Sequence, residues 1–276
     1  MPEDGGLALA DAPRLQRAAG LARVTFGQRD GQAVLADLHQ SGCAKAFLPR
    51  IHGPVPEVVF LNTAGGLTGG DRVGFSLALA AGTRAIGTTQ TAERAYASAG
   101  GVARLAVDLS VGDGAALDWL PQETILFDRS ALERRTTITL AGEARLVMCE
   151  MVGLGRAAMG ETVRSLWFRD RREVRRDGRP VLVEPLRLTD QTLAAGPAAL
   201  GEARAFATVA LVARGAEDAV EPLRRLAPEG VDWAVSGWDG KCIVRLTGPD
   251  LRPVKRAVAA MLERLRGRAL PRVWQI

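Results

Sequence analysis

The pattern that most constrains the fold is a series of short stretches in which apolar and polar residues alternate. They recur from about residue 20 to residue 184, and turn residues such as Gly112-Asp113-Gly114 separate them. Alternation with period two indicates half-buried strands, and about a dozen can be counted at the spacing typical of all-β proteins. No helical pattern lies between them, which argues against a doubly wound parallel sheet. We therefore predict a mainly β body of many short strands.

The last third of the chain, about residues 190–276, has a different pattern. Its clearest helix is predicted over residues 250–268, where Asp250 can cap the N-terminus and Pro253 fits the first turn. Shorter helices are expected over residues 190–200 and 216–226, and a hairpin is expected around residues 238–241. We predict one domain over residues 1–276. It has a loose arm over residues 1–18, and its α/β C-terminal part packs on the β body.

Composition limits the class of protein. The chain has 276 residues, 47% of them hydrophobic, which suffices for a sizeable core. Three cysteines without a CxxC pair favour a reducing compartment, and no apolar run has the length of a membrane span, so a cytoplasmic protein is expected. The net charge is +5, but the charges are interspersed, which weakens a nucleic-acid reading. The arginine-rich residues 164–187 fit either solvated strand faces or an anionic docking patch.

The most distinctive loop spans residues 61–72, and it carries two glycine pairs followed by an acidic and a basic residue: Gly65, Gly66, Gly69, Gly70, Asp71 and Arg72. A Walker loop needs Gly-Lys-Ser/Thr before a helix, and a dinucleotide fingerprint needs GxGxxG opening a helix. Neither condition is met, because a strand pattern follows Asp71. The loop is therefore predicted to be a structural or partner-facing corner, with Asp71 a polar group there rather than a catalyst.

Candidate ligating and catalytic groups are few. The two histidines, His39 and His52, give little support to a catalytic triad, and the spacing of His39 and Cys43 would suit a metal only on a helix. Oxygen ligands that could hold or pass a divalent ion weakly are more plentiful: Asp71, Glu123, Asp128, Glu150 and Glu161. Glu150 and Glu161 could also act as an acid–base pair. Pro121 predicts a bend at which Gln122 and Glu123 can face a cavity.

Five segments, taken together, resemble the urease accessory protein D (UreD) family, called UreH in some organisms. The matching segments run in order over nearly the whole chain: the GGxxGGD loop at residues 65–71, Thr88-Thr89 to Ser98 with Tyr96, the WLPQETIxFD segment at residues 119–128, the LGRxAxGE segment with Arg156 at residues 154–161, and the PRxW ending at residues 271–274.

The chain departs from the family pattern at two places. Asn62-Thr63-Ala64 stands where the family usually has His-Pro-Pro, so a ligand role for a histidine there is lost. The usual proline of the second segment is absent, and residues 90–94 read Gln-Thr-Ala-Glu-Arg, which puts in doubt a basic contact near Tyr96. Neither departure lies in the WLPQETIxFD segment at residues 119–128 or in the LGRxAxGE segment at residues 154–161.

The resemblance implies a β-helix-like body with about two helices and a non-enzymatic role in the maturation of nickel urease. It implies a scaffold that binds the urease apoprotein and accessory protein F, which recruits the GTPase accessory protein G, in a dimer of heterocomplexes. It also implies an internal polar tunnel for nickel in transit, with no permanently bound cofactor. Our hypothesis lines this path with the carboxylates Asp71, Glu123, Glu150 and Glu161.

Further readings stay open at the level of sequence. The C-terminal helix, around residues 251–265, and the nearby tail are predicted to contact accessory protein F. An enzyme alternative is a β-rich hydrolase or epimerase that uses Glu123 and Glu161. A nucleic-acid alternative would use residues 164–187, although the small number of aromatic residues argues against base stacking.

Overall fold

The computed structural model describes residues 16–50 and 53–275. Within them the chain forms strands throughout and α-helices only in its last third. The strands are β1 (Ala19–Arg29), β2 (Gln32–Gly42), β3 (Ala44–Phe47), β4 (Glu57–Asn62), β5 (Arg72–Leu79), β6 (Arg84–Thr89), β7 (Glu93–Ala95), β8 (Ala103–Val111), β9 (Ala116–Leu120), β10 (Thr124–Leu126), β11 (Ser130–Leu140), β12 (Arg145–Leu154), β13 (Leu166–Arg176), β14 (Arg179–Thr189), β15 (Ala205–Val212), β16 (Asp232–Trp238) and β17 (Lys241–Gly248). The α-helices are α1 (Asp190–Ala194), α2 (Val220–Arg224) and α3 (Leu251–Arg266).

The strands form two facing sheets. Sheet one has the order β14-β13-β11-β8-β5-β1-β2. Sheet two has the order β16-β17-β15-β12-β9-β6-β4-β3, with β7 and β10 joined to it through β12. From β4 to β13, the short strands β7 and β10 aside, the chain alternates between the sheets, so that each turn of the chain adds one of the longer strands to each sheet. This winding is a β-solenoid, which confirms the predicted mainly β, β-helix-like fold.

The central strands pair in parallel although no helix connects them. β5, β8, β11 and β13 are parallel neighbours in sheet one, and β4, β6, β9 and β12 are parallel neighbours in sheet two. Parallel neighbours need a long crossover connection, which is usually a helix. Here each crossover contains a strand of the opposite sheet instead of a helix. The absence of helical patterns in this part of the sequence therefore correctly argued against a doubly wound parallel sheet.

Two hydrophobic cores result from this arrangement. The first lies between the sheets, where the Phe60 ring packs against Phe75 and Trp119 at centroid distances of 5.2 and 6.0 Å. The second lies on the outer face of sheet two, under α3 and the C-terminal tail, and contains Val254 and Met261. The C-terminal part therefore packs against sheet two through an apolar layer.

The predicted C-terminal helix is confirmed with its caps. The Asp250 carboxylate accepts a hydrogen bond from the Arg252 backbone N–H at 2.7 Å, and Gly267 ends the helix with φ of +64°. Glycine adopts this left-handed conformation without the steric cost that other residues incur. The predicted hairpin is β16–β17, and the two shorter helical regions each combine a 3₁₀ turn with a short α-helix, α1 or α2.

The strands differ from the prediction in two respects: one long strand was expected as two, and two short strands were not expected. Residues 163–169 and 173–175 were expected as two separate strands, yet residues 166–176 form the single strand β13, and residues 163–165 precede it. The alternation is hidden because the inward positions Asp170 and Arg172 are charged, although both are buried. The short strands β3 and β7 were not predicted, since three or four residues are too few to show a period.

Two regions bear on the remaining expectations. Most of the expected N-terminal arm, residues 1–15, and His52 lie outside the described residues, while the Ala18 N–H is already bonded to Asp71. None of the helices in the described part of the chain is both long enough and apolar enough to cross a membrane.

Candidate functional site

Four of the sequence motifs come together along one edge of the solenoid, where they form a short third ladder. Leu67 of the glycine loop forms a parallel bridge with Ala95 at the end of β7. β7 pairs in parallel with β10, and β10 pairs in parallel with the end of β12, which leads into the Leu154-Gly-Arg segment. Segments far apart in the chain are therefore successive rungs of one ladder, which we call the motif ladder.

Side chains from the same segments stack on the surface of the motif ladder. The Tyr96 hydroxyl donates to the Gly65 carbonyl at 3.1 Å, and its ring meets Phe127 edge-on at 5.1 Å. The Arg156 guanidinium lies over the Phe127 ring, 4.7 Å from its centroid, and its Nε donates to Glu161 at 2.9 Å. Such cation–π contacts contribute about 0.5–1 kcal/mol at exposed sites.

The glycine loop is a tight corner between β4 and β5. Gly65, Gly66 and Gly70 have positive φ, and a Cβ on Gly69 would lie 2.1 Å from Ser98 Oγ. The Asp71 carboxylate is buried, and its two oxygens accept hydrogen bonds at 2.8 Å from the backbone N–H groups of Ala18 and Thr68. Both oxygens of Asp71 therefore fix the backbone of the corner.

A cavity of about 50 Å³ lies between the sheets, beside the motif ladder. Its lining extends from the exposed residues Gly65 and Thr91 to the buried Arg134 and Glu150. A polar cavity of this volume has room for a few water molecules. Thr91 has φ of +61°, a conformation that is rare for a β-branched residue, at the outer end of the cavity.

A chain of buried ion pairs leads inward from this cavity. The Arg134 guanidinium contacts Glu150 and Asp170, each at 2.7 Å, and Asp170 also lies 3.4 Å from Arg172. Burial raises the pKa of Glu150, against the pull of Arg134. Burial also acts to raise the pKa of Asp170, but the charge and hydrogen bonds of Arg134 outweigh it and leave that pKa lowered.

The same chain of ion pairs continues to the opposite surface. Arg172 Nη1 lies 3.5 Å from Glu184, and Glu184 Oε1 accepts from the exposed Arg245 at 2.6 Å. Arg172 Nε and Nη1 and Glu184 Oε2 have no hydrogen-bond partner among residues 16–50 and 53–275. Buried charged groups of this kind are usually satisfied by water, so the interior between the two ends is polar.

Glu93 lies at the outer end of the cavity and was missed by the sequence reasoning. Asn62 Nδ2 lies 3.4 Å from both of its carboxylate oxygens. Burial raises the pKa of Glu93 to about 7, although the Asn62 hydrogen bond acts to lower it. Asn62 and Glu93 belong to the two segments in which the chain departs from the family pattern, so the two departures meet in one contact. Each looked independent in the sequence because 31 residues separate them.

Gln122 and Glu123 hold the C-terminal part to the solenoid. Lys255 Nζ of α3 donates to Gln122 Oε1 at 2.6 Å and to Glu123 Oε2 at 2.9 Å. Gln122 Nε2 in turn donates to the Val273 carbonyl, and Trp274 Nε1 donates to Leu120. The predicted bend between β9 and β10 is present, and Gln122 also lines the cavity, although its side-chain amide is bonded to α3 and the C-terminal tail.

The comparisons with known proteins identify the family. The family model described as UreD urease accessory protein matches residues 18–275. The chain belongs to the UreD family. A urease accessory protein UreD from Dinoroseobacter shibae is 58% identical over 96% of this chain and 95% of its own length. Those from Cereibacter sphaeroides, strain ATCC 17025, and from Rhizobium leguminosarum bv. trifolii are 59% and 43% identical, over 95% and 97% of this chain and 96% and 98% of their own lengths.

The predicted carboxylates of this UreD family member do not converge. Asp71 fixes the glycine corner, Glu123 binds Lys255, Glu161 binds Arg156, and Glu150 alone lines the cavity. Among residues 16–50 and 53–275, no three His, Cys, Asp or Glu side chains form a group that could hold a metal ion. The separate partners of Glu123 and Glu161 do not favour the hydrolase or epimerase alternative.

Glu161 is the most strongly tied of these carboxylates to its own loop. Besides the Arg156 side chain, it accepts from the backbone N–H groups of Arg156 and Asp128, at 2.9 and 3.2 Å. The Arg156 hydrogen bonds are the main reason that the pKa of Glu161 is lowered. A carboxylate with a lowered pKa that accepts hydrogen bonds from one guanidinium and two backbone N–H groups orients a loop and is a poor general acid.

Proposed function

We propose that this protein is a cytoplasmic urease maturation factor. It acts as a scaffold that binds the urease apoprotein and accessory proteins F and G, in a dimer of heterocomplexes, and helps to deliver nickel to the urease active site. Its membership of the UreD family supports a role in urease maturation. The identity of each partner and the delivery of nickel are the finer parts of the proposal.

The observation that carries the nickel part is the polar interior between the sheets. The cavity ends on Glu150, and the ion pairs from Glu150 to Arg245 continue to the opposite surface. Nickel is cargo on this route rather than a resident cofactor. Isolated carboxylates already paired with arginines bind a cation weakly, whereas a closed set of His and Cys ligands would retain it.

The proposed contact with accessory protein F needs revision at one point. The apolar stripe of α3 faces sheet two, and Val254, Val258, Met261 and Leu262 are buried there. These residues are not available to a partner without unfolding the C-terminal part. A contact through α3 would therefore use its polar side, which carries Arg252 and Arg256.

The test is Glu150→Gln, which removes the carboxylate charge and keeps the shape, while Arg134 retains Asp170. Urease is activated with the variant, accessory proteins F and G, GTP and nickel, and both the nickel content of urease and the assembly of the complex are measured. We expect an intact assembly with less nickel per urease active site. The matched control is Glu143→Gln, an exposed carboxylate away from the cavity.

Unchanged nickel loading by Glu150→Gln would remove the interior from the proposal and leave the scaffold role. Failure of the unaltered protein to co-purify with the urease apoprotein and accessory protein F would overturn the scaffold role itself.

A further inference from the structure

The outer face of sheet one is an exposed, arginine-rich surface. Its strands alternate buried and more exposed residues, so one side of each strand points away from the core. Apart from Arg29 at the end of β1, the outward positions of β1, β5, β8, β11, β13 and β14 carry eight arginines against three carboxylates: Arg23, Arg72, Arg104, Arg135, Arg169, Arg171, Arg175 and Arg187, with Asp108, Glu133 and Glu173. We call this surface the cationic face.

Strand register arranges these charges in rows across the sheet. Arg104, Glu133 and Arg169 are direct neighbours on β8, β11 and β13, and Arg187 of β14 continues the row. Each of two carboxylates is shared between two arginines. Glu133 lies 3.4 and 3.8 Å from Arg104 and Arg169, and Glu173 lies 2.9 and 2.5 Å from Arg171 and Arg175. Pairing within the face therefore leaves an excess of positive charge.

The arginine-rich residues 164–187 are only part of this surface. Of the residues in β13, Asp170 and Arg172 point inward to the buried ion pairs, while Arg169, Arg171 and Arg175 point outward. The solenoid adds Arg104 and Arg135 from strands more than thirty residues earlier. One row of β13 is thus buried and structural, and only the exposed row bears on the two readings that the sequence left open, a solvated strand face and an anionic docking patch.

The size of the face suits a protein interface. Six strands about 4.8 Å apart span roughly 24 Å, and eight residues of strand span roughly 26 Å, which gives a projected area of about 600 Å². A standard interface buries about 800 Å² on each partner, so the face suits a contact at the transient end of the range.

The composition of the face decides among anionic partners. A second copy would present the same positive charge and be repelled. Single-stranded nucleic acid is held through aromatic stacking, and Trp167 is the aromatic residue on this side of β13. Carboxylates placed between the arginines would repel a continuous phosphate backbone or an anionic lipid surface, whereas they can pair with basic residues at the rim of a protein.

We infer that the cationic face is a docking surface for the acidic face of a protein partner. The inference rests on the proposed function only for the choice of partners to be tested, which are the purified urease apoprotein and accessory protein F of the same organism.

The test compares two triple variants with the same change in net charge. The first, Arg104→Gln, Arg169→Gln and Arg171→Gln, neutralises the cationic face. The control, Arg214→Gln, Arg224→Gln and Arg225→Gln, neutralises exposed arginines that follow β15 and lie at the end of α2, outside the cationic face and outside α3. The dissociation constant for each partner is measured at about 50 and 300 mM salt, and unfolding is measured in parallel.

We expect the first variant to weaken binding of at least one partner roughly tenfold at low salt, with a smaller loss at high salt, while the control changes it less than about twofold. Equal binding by both variants would overturn the inference and leave the proposed function intact. Failure of the unaltered protein to bind either partner would instead speak against the proposed function. Arginine-dependent binding only to a random DNA duplex or to phosphatidylserine vesicles would also overturn the inference.

Discussion

The outer faces of the two sheets differ although both sheets belong to one winding of the chain. The outer face of sheet two is apolar and lies under α3 and the C-terminal tail. The outer face of sheet one is charged, and within the described residues no helix packs across it. One face therefore shows how the chain completes its own core, and the other shows a surface that folding does not need to cover.

The difference between the two outer faces follows from the residue types at alternate positions of the strands. β12 and β15 are buried on both sides and read as nearly continuous apolar runs, since two cores lie against them. β8 alternates strictly between buried and exposed residues, since only one core lies against it. The sequence of a strand thus shows whether one or both of its sides are buried. It does not show which part of the protein covers the second side.

The largest expected effect comes from Leu262→Ala in α3. Leu262 is fully buried in the second core, and removing a buried leucine side chain costs about 2–5 kcal/mol in the free energy of unfolding. The measurement is urea denaturation followed by circular dichroism. The matched control is Leu35→Ala on β2, where the leucine is 46% exposed, and it should cost less than about 1 kcal/mol.

A smaller loss for Leu262→Ala than for Leu35→Ala would contradict the description of the second core as part of the folded unit. It would mean that α3 detaches from sheet two readily, and the apolar stripe of α3 would then become available to a partner.

A smaller, pH-dependent effect is expected at the rim between the two sheets, where Glu93 lies. Its pKa is raised to about 7 from 4.5, mainly by burial. Between these two values the unfolded chain loses the proton while the folded chain keeps it. The stability associated with neutral Glu93 is therefore full below about pH 4.5 and is lost as the pH rises to about 7. A shift of this size corresponds to about 3 kcal/mol.

Glu93→Gln removes this dependence and is expected to be more stable than the unaltered protein at pH 8 but not at pH 4.5. Unfolding free energies at both pH values test the prediction, and the exposed Glu221→Gln serves as the control. The same difference at the two pH values would show that ionisation of Glu93 does not contribute to stability.

Much of the fold could be predicted because its signals are local. Asp250, Pro253 and the apolar stripe of α3 specify a helix within one short segment, and alternation specifies most strands. Long-range contacts were the part that could not be predicted. Asp170 and Arg172 hid the continuity of β13, because charged residues signal an exposed surface unless their partners are known. Arg134, Glu150 and Asp170 belong to three strands, and only the winding brings them together.

The candidate site shows the same limit. The glycine corner and the bend at Pro121 follow from local backbone preferences. The contact between Asn62 and Glu93 does not, since each residue by itself is only a departure from a family pattern. The carboxylates were identified by type, but their partners decide their roles, and Glu123 holds α3 rather than lining the cavity.

The smallest expected effect on stability comes from a substitution on the cationic face. It allows the exposed ion pairs of this face to be compared with the buried ion pairs of the interior. Glu133→Gln removes a half-exposed carboxylate shared by Arg104 and Arg169, and the loss of stability should be below about 1 kcal/mol, decreasing further in about 0.5 M salt. Glu150→Gln, in contrast, weakens an ion pair in which both side chains are 4% exposed. Because Gln keeps the shape and Arg134 retains Asp170, the loss of stability should be larger than for Glu133→Gln but smaller than for Leu262→Ala, and it should depend little on salt.

Thermal or urea unfolding of both variants at low and high salt tests this contrast. If Glu133→Gln costs more than about 2 kcal/mol, the outward ion pairs are structural, and the arginines around them are needed for folding. If the cost is small, stability does not account for eight arginines on one side of a sheet, and a surface that folding does not require is available for a partner.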